Sequence, residues 1–167
     1  GEIVDFQDIL INIEGREASG ADLQLYWSFA AGPGDLGVNA LVSWMDTFKL
    51  LPPRGLPEVE SVGLVGGTIG ASFPEWKANL QATYRWAALV AGLQWRYVDS
   101  MRDSDPDLDY PIPSHDYFDL FASYDFDAGA LDGLTLRAGV ENLTDEDPPL
   151  LPSPVQANTD PSQYDVL

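Results

Sequence analysis

Residues 74–86, PEWKANLQATYRW, alternate almost without a slip. Trp76, Ala78, Leu80, Ala82, Tyr84 and Trp86 form one set, and Glu75, Lys77, Asn79, Gln81, Thr83 and Arg85 the other. A period of two places these sets on opposite faces of a β-strand. The same pattern recurs along the chain. Leu23, Leu25, Trp27 and Phe29 oppose Asp22, Gln24, Tyr26 and Ser28, and Leu36, Val38, Ala40, Val42 and Trp44 oppose Gly37, Asn39, Leu41 and Ser43. Leu89, Ala91, Leu93, Trp95 and Tyr97 alternate with Val90, Gly92, Gln94 and Arg96, a weaker instance. Phe118, Leu120, Ala122, Tyr124 and Phe126 alternate with Tyr117, Asp119, Phe121, Ser123 and Asp125. Leu134, Leu136, Ala138 and Val140 alternate with Thr135, Arg137, Gly139 and Glu141, and a short run sets Ile9, Ile11 and Ile13 together. The pattern predicts about seven strands and almost no helix.

The connections sort into two kinds. AAGPGD (30–35), the step around Ala87 and DAGALDG (127–133) are short turns, whereas 51–73, 102–114 and everything after Asn142 are long. A short connection at 15–19 is the exception. In an up-and-down meander successive connections fall at opposite ends of the sheet, so the alternation gathers tight turns at one end and large loops at the other. That is the layout of an outer-membrane barrel, although lipocalin-like soluble barrels also have unequal ends.

Which face is wet decides between them. A soluble sheet buries its apolar face, whereas a membrane barrel turns that face to lipid. Trp27, Trp44, Trp76, Tyr84, Trp86, Trp95 and Tyr97 all fall in the apolar sets, several near strand ends, where a membrane barrel places its aromatic girdles. Runs of ten or more alternating residues also exceed the usual five or six of soluble strands and match a tilted bilayer crossing. The competing reading is a soluble acidic β-barrel or sandwich that binds an apolar small molecule in its core.

Composition narrows the partners. Eight Lys and Arg against 27 Asp and Glu give the 167 residues a net charge of -19, which argues against binding a phosphate backbone and hence against nucleic acid. No cysteine is present, so disulfides and thiolate metal sites are excluded. No stretch approaches the roughly 20 apolar residues of a spanning helix, and residues 1–20 lack the basic and apolar regions of a signal peptide.

Candidate chemistry is sparse. Asp103, Asp105, Asp107 and Asp109 stand at every second position in DSDPDLDY, an oxygen-rich spacing that a calcium ion can use. The loop glycine and the closing bidentate Glu of an EF-hand are missing, Pro106 interrupts the series, and a solvated acidic loop is the simpler expectation. His115, the only histidine, has neither a second histidine nor a serine nucleophile motif nearby, and is expected at the surface or rim. GLVGGTIG (63–70) lacks the P-loop lysine and a following helix, and is expected to be a flexible loop. No catalytic residue and no cofactor site is assigned.

The ordered series EGREASGADLQLYW, FPEWKANLQATYRW, DYFDLFASYDF, LRAGVENLTDEDPP and QANTDPSQYDVL resembles the C-terminal part of the β-barrel of TonB-dependent outer-membrane receptors. Asn142-Leu143 followed by Asp145 and Pro148, then Tyr164-Asp165, carry much of the likeness. The resemblance implies an all-β antiparallel meander in which residues 1–167 make one partial domain of a 22-stranded transmembrane barrel. The plug domain, the TonB box and the closing C-terminal strand would lie elsewhere in a longer parent chain. It further implies a location in the outer membrane of a Gram-negative bacterium, with long extracellular loops and short periplasmic turns. The role implied is non-enzymatic uptake of a scarce nutrient such as siderophore-iron, cobalamin or a glycan. The implied partners are outer-membrane lipid, the plug, TonB and a small nutrient ligand. Lys77, Asn79, Gln81, Thr83, Arg85, Thr135, Arg137 and Glu141 would then face the lumen.

Overall fold

The computed structural model describes residues 15–52, 56–66, 71–105, 107 and 110–148. Six long strands follow the alternating runs: β1 (Gly15–Ala31), β2 (Gly34–Leu51), β6 (Trp76–Trp86), β7 (Leu89–Val98), β10 (His115–Asp125) and β11 (Thr135–Val140). They pair antiparallel in the order β1-β2-β6-β7-β10-β11, so neighbours in sequence are neighbours in space and the fold is an all-β meander. The run holding Ile9, Ile11 and Ile13 lies outside the described residues.

At one end the strands join through tight turns at Gly32, where φ is +63°, and at Ala87, where φ is +47°, and through a single 3-10 turn, Gly129–Leu131. The segment 15–19, expected as a short connection, is instead the first part of β1 and pairs with Thr47–Leu51 of β2. Its register shifts by a bulge between Ser19 and Gly20. At 17 and 18 residues β1 and β2 span about 60 Å at the usual rise per residue, far more than a bilayer requires. Where a strand rises clear of an apolar layer both faces meet water, and the period-two signal fades although the ladder continues.

The long connections build a second sheet. β3 (Val59–Glu60) extends the main sheet against Lys49 and Leu50 of β2. β4 (Leu64–Gly66), β5 (Ala71–Ser72), β8 (Met101–Asp103) and β9 (Pro111–Ile112) pair in the order β5-β4-β8-β9, with β4 and β8 parallel. GLVGGTIG therefore contributes a strand rather than only a flexible loop, because Leu64 and Val65 find partners in Arg102 and Asp103, far along the chain. Val65, Val98, Met101 and Ile112 close into a buried apolar cluster there. Among the described residues the buried apolar side chains are these four with Leu50, Pro74 and Tyr117, so the molecule's dry core sits at the loop end and not within the long sheet.

Candidate functional site

The two faces of the sheet divide as the alternation requires. Register aligns Leu25, Ala40, Leu80, Trp95 and Phe118 in one row and Trp27, Val38, Ala82, Leu93, Leu120 and Val140 in the next. Among the described residues no layer covers this face: Leu25 is 51%, Leu80 37% and Leu136 60% exposed. A soluble binder would have packed these leucines into a common dry centre.

Aromatic side chains bracket the apolar face. At the loop end Trp44 lies beside Trp76 with ring centres 6.0 Å apart, and Trp95 beside Tyr97 at 5.9 Å. Their polar ends are engaged: Trp44 Nε1 donates to Glu75 at 3.3 Å, Trp95 Nε1 to Asp116 at 2.6 Å and Tyr97 Oη to Asp99 at 3.0 Å. At the turn end Trp86, Leu89, Tyr124 and Leu136 form a row, and Tyr84 Oη donates to the Ala31 carbonyl at 2.9 Å. A ring with an apolar body and one satisfied polar tip suits a boundary between apolar and wet surroundings.

The opposite face is polar and hollow. A trough of about 1140 Å³ runs across five strands, and its lining includes Asn79, Gln94, Arg96, Asp119 and Glu141 together with the apolar Leu41, Leu120, Phe121 and Val140. Nearer the turns a smaller hollow of about 140 Å³ is lined by Tyr26, Gly37, Asn39, Gln81, Thr83 and Arg85. Of the residues expected inside, Asn79 and Glu141 thus meet in the trough, while Gln81, Thr83 and Arg85 share the second hollow. Lys77 borders a third, of about 300 Å³, with Asp22 and Ser43. Register puts Thr135 and Arg137 on this face at the turn end, where Thr135 Oγ1 donates to Asp125 at 2.6 Å.

Several polar side chains of this face were not singled out by sequence reasoning. Gln94 donates to Asn79 Oδ1 at 3.2 Å, and Arg96 Nε meets Asp119 Oδ2 at 3.2 Å with both side chains largely buried. The Arg96 guanidinium also lies over the Tyr117 ring, 5.2 Å from its centre. Gln94, Arg96 and Asp119 occupied the polar phase of the β7 and β10 alternation, and that phase was the available signal.

His115 is not at the surface. It is 5% exposed, stacks on Tyr117 and places Nδ1 2.9 Å from Glu146 Oε1. Register sets it opposite Val98, a member of the buried apolar cluster, so the rim position expected for a lone histidine is corrected to a buried one.

Among the described residues the aspartate series does not converge. Asp103 Oδ1 accepts the Asp105 backbone N–H at 2.8 Å and Asp105 Oδ1 that of Asp107 at 3.0 Å, so two carboxylates serve local turns. Asp109 lies outside the described residues, and among the described residues no three His, Asp or Glu side chains group as a metal site. Glu60, at the end of β3, is a carboxylate with a well-defined setting. Burial pushes its carboxyl up, but backbone N–H donors from Phe48, Val62 and Ser61, with the charge of Lys49, outweigh that and hold it below the ordinary value.

No curated protein and no solved structure matches the chain. A family model described as TonB dependent receptor-like, beta-barrel, matches residues 2–143, which take in all six long strands. With an exposed apolar face, a polar hollow face and this match over most of its length, the chain belongs to the β-barrel family of TonB-dependent receptors, outer-membrane transport proteins of Gram-negative bacteria.

Proposed function

We propose that the six long strands stand side by side in the wall of a receptor that imports a scarce nutrient across the outer membrane. The apolar rows face acyl chains, the polar hollows face the bore, the tight turns lie in the periplasm and the loop sheet stands outside. The plug and the TonB-contacting segment belong to other parts of the receptor, and siderophore-iron, cobalamin and glycans are the ligand classes in view. The chain's part is passive: it walls the bore and presents loops, with no bond made or broken.

One observation carries this reading. From the row of Leu80 and Trp95 to the row of Trp86 and Tyr124, the outward face of the described strands carries no charged side chain, and Asp116, one row nearer the loops, accepts the Trp95 Nε1 proton. From Trp76 to Trp86, β6 runs about 33 Å along its own axis, given the usual rise per residue. A strand tilt near 40° projects this to about 25 Å, the height of the apolar band of outer-membrane barrels.

Spin labels placed by Leu80→Cys and Gln81→Cys in the intact receptor, reconstituted in lipid, test the assignment, and no native cysteine in this chain interferes. Oxygen, which concentrates among acyl chains, should relax the label at 80 far more than the label at 81. Equal relaxation at both positions, or the reverse order, removes the reading.

A further inference from the structure

The chain leaving β11 does not simply run off the sheet. The β10–β11 ladder ends at Leu120 opposite Val140, yet the next residues remain tied to the upper half of β10. The Leu143 backbone N–H donates to the Phe118 carbonyl at 2.6 Å, and that of Asn142 donates to Asp119 Oδ1 at 2.8 Å. Asn142 then brackets the turn it starts: Nδ2 donates to the Glu146 carbonyl at 2.9 Å, Oδ1 accepts the Glu146 N–H at 3.0 Å, and its own carbonyl accepts the Asp145 N–H at 2.9 Å. Asn142 and Asp145 hold φ of +51° and +53°, a conformation that asparagine and aspartate tolerate better than most residues.

These bonds close a ring. From Glu146 the path runs to His115, by stacking to Tyr117, to Arg96 above the Tyr117 ring, to Asp119 and back to Asn142. Asp119 is the hinge of the arrangement, because one carboxylate oxygen holds the wall residue Arg96 and the other holds the loop. The ring borders the trough, because Arg96 and Asp119 belong to both and Glu141, next to Asn142, also lines it.

We infer that residues 142–146 form a strap, latched to the polar face through Asp119 and His115, that is seated and released as one unit beside the trough. The Asn142 side chain joins the two ends of the turn, so loss of one anchor frees the whole turn rather than a single bond. Release uncovers the Asp119 carboxylate beside Arg96. The inference rests on the ring geometry alone and stands whether or not the transport reading holds.

Amide hydrogen exchange on the intact receptor in detergent tests it. In the parent protein the amides of 142, 143, 145 and 146 should be protected together. Asn142→Gly keeps the positive φ accessible but removes the bracket, and should speed exchange at 143, 145 and 146 together by about tenfold or more, leaving β6 and β7 unchanged. Glu146→Ala should do the same, whereas Glu146→Gln, which keeps an oxygen for His115, should retain most of the protection. Free-peptide exchange across 142–146 in the parent protein overturns the strap, and this result does not depend on any variant folding. It is also overturned if the variants change single amides only, or if protection is lost along all of β10.

Discussion

Phe121 lies across Gly92 of the neighbouring strand so closely that a Cβ on that glycine would stand 2.7 Å from the ring Cε1. The same Cβ would stand 2.8 Å from the carbonyl oxygen of Ala82 on the strand beyond. The ring thus occupies the space that a side chain on β7 would fill, and it covers backbone that the glycine leaves bare.

Gly92→Ala should therefore overpack the polar face of the sheet and cost about 1–3 kcal/mol, measured by denaturant unfolding of the receptor in lipid vesicles. Phe121→Leu removes the ring but not the Ala82 carbonyl. The double variant should fall short of the sum of the single losses without returning to the parent value. Strict additivity would mean that the ring and the glycine are energetically independent.

Leu80 and Gln81 are adjacent in sequence and face opposite ways, which makes them a paired probe of the two faces. Leu80→Arg places a charge on the apolar row shared with Leu25 and Trp95, and should cost about 2–4 kcal/mol if that row meets the middle of a bilayer. Gln81→Arg enters the hollow beside Asn39 and Thr83 and should be nearly neutral. Vesicle folding yields that are equally tolerant of both changes would show that neither face is lipid-facing.

Glu60 makes the loop end sensitive to acid. Its carboxylate accepts N–H groups from Phe48 at 2.9 Å, Ser61 at 3.0 Å and Val62 at 3.1 Å, and its folded value lies below the ordinary 4.5. A depressed value means that the stabilisation is fully present above 4.5 and is lost as pH falls through the folded value. Local exchange protection of those three amides should thus weaken relative to the rest of the sheet on acidification below that point. In Glu60→Gln the acid step should disappear, and an unchanged step would assign it to another carboxylate.

How much of this was legible follows from the range of the forces. Period-two alternation is local, so Leu80 against Gln81 and Leu136 against Arg137 could be read directly, and sorting the connections by length gave the two ends of the meander. The loop sheet was hidden because its pairs join residues distant in sequence, as Leu64 joins Arg102, and no local pattern encodes such a partner. The strand character of 15–19 was hidden because Arg16 and Glu17 pair through backbone while their side chains show no apolar phase. His115 was misplaced for a related reason: it pairs with Val98 and meets Glu146, both distant in sequence, and neither has a signature near PSHDYFD. The Arg96–Asp119 pair lay in plain alternation, but only the register between β7 and β10 brings the two together.

The sheet also predicts what residues 1–167 do as an isolated polypeptide. In the described structure β1 and β11 each pair on one side only, leaving two rows of backbone donors and acceptors open. In hydrocarbon each such group costs several kcal/mol, roughly, so an open sheet is not viable there. In water the same polypeptide would expose Leu23, Leu25, Trp27, Leu80 and Leu136 on one face, and the cluster of Val65, Val98, Met101 and Ile112 is too small to offset the ordering of six long strands. The isolated polypeptide should therefore aggregate in detergent-free buffer and fold only when neighbouring strands complete the wall. Size-exclusion chromatography with thermal melting decides the matter: a monodisperse species with a cooperative transition would show that the sheet has a dry core of its own.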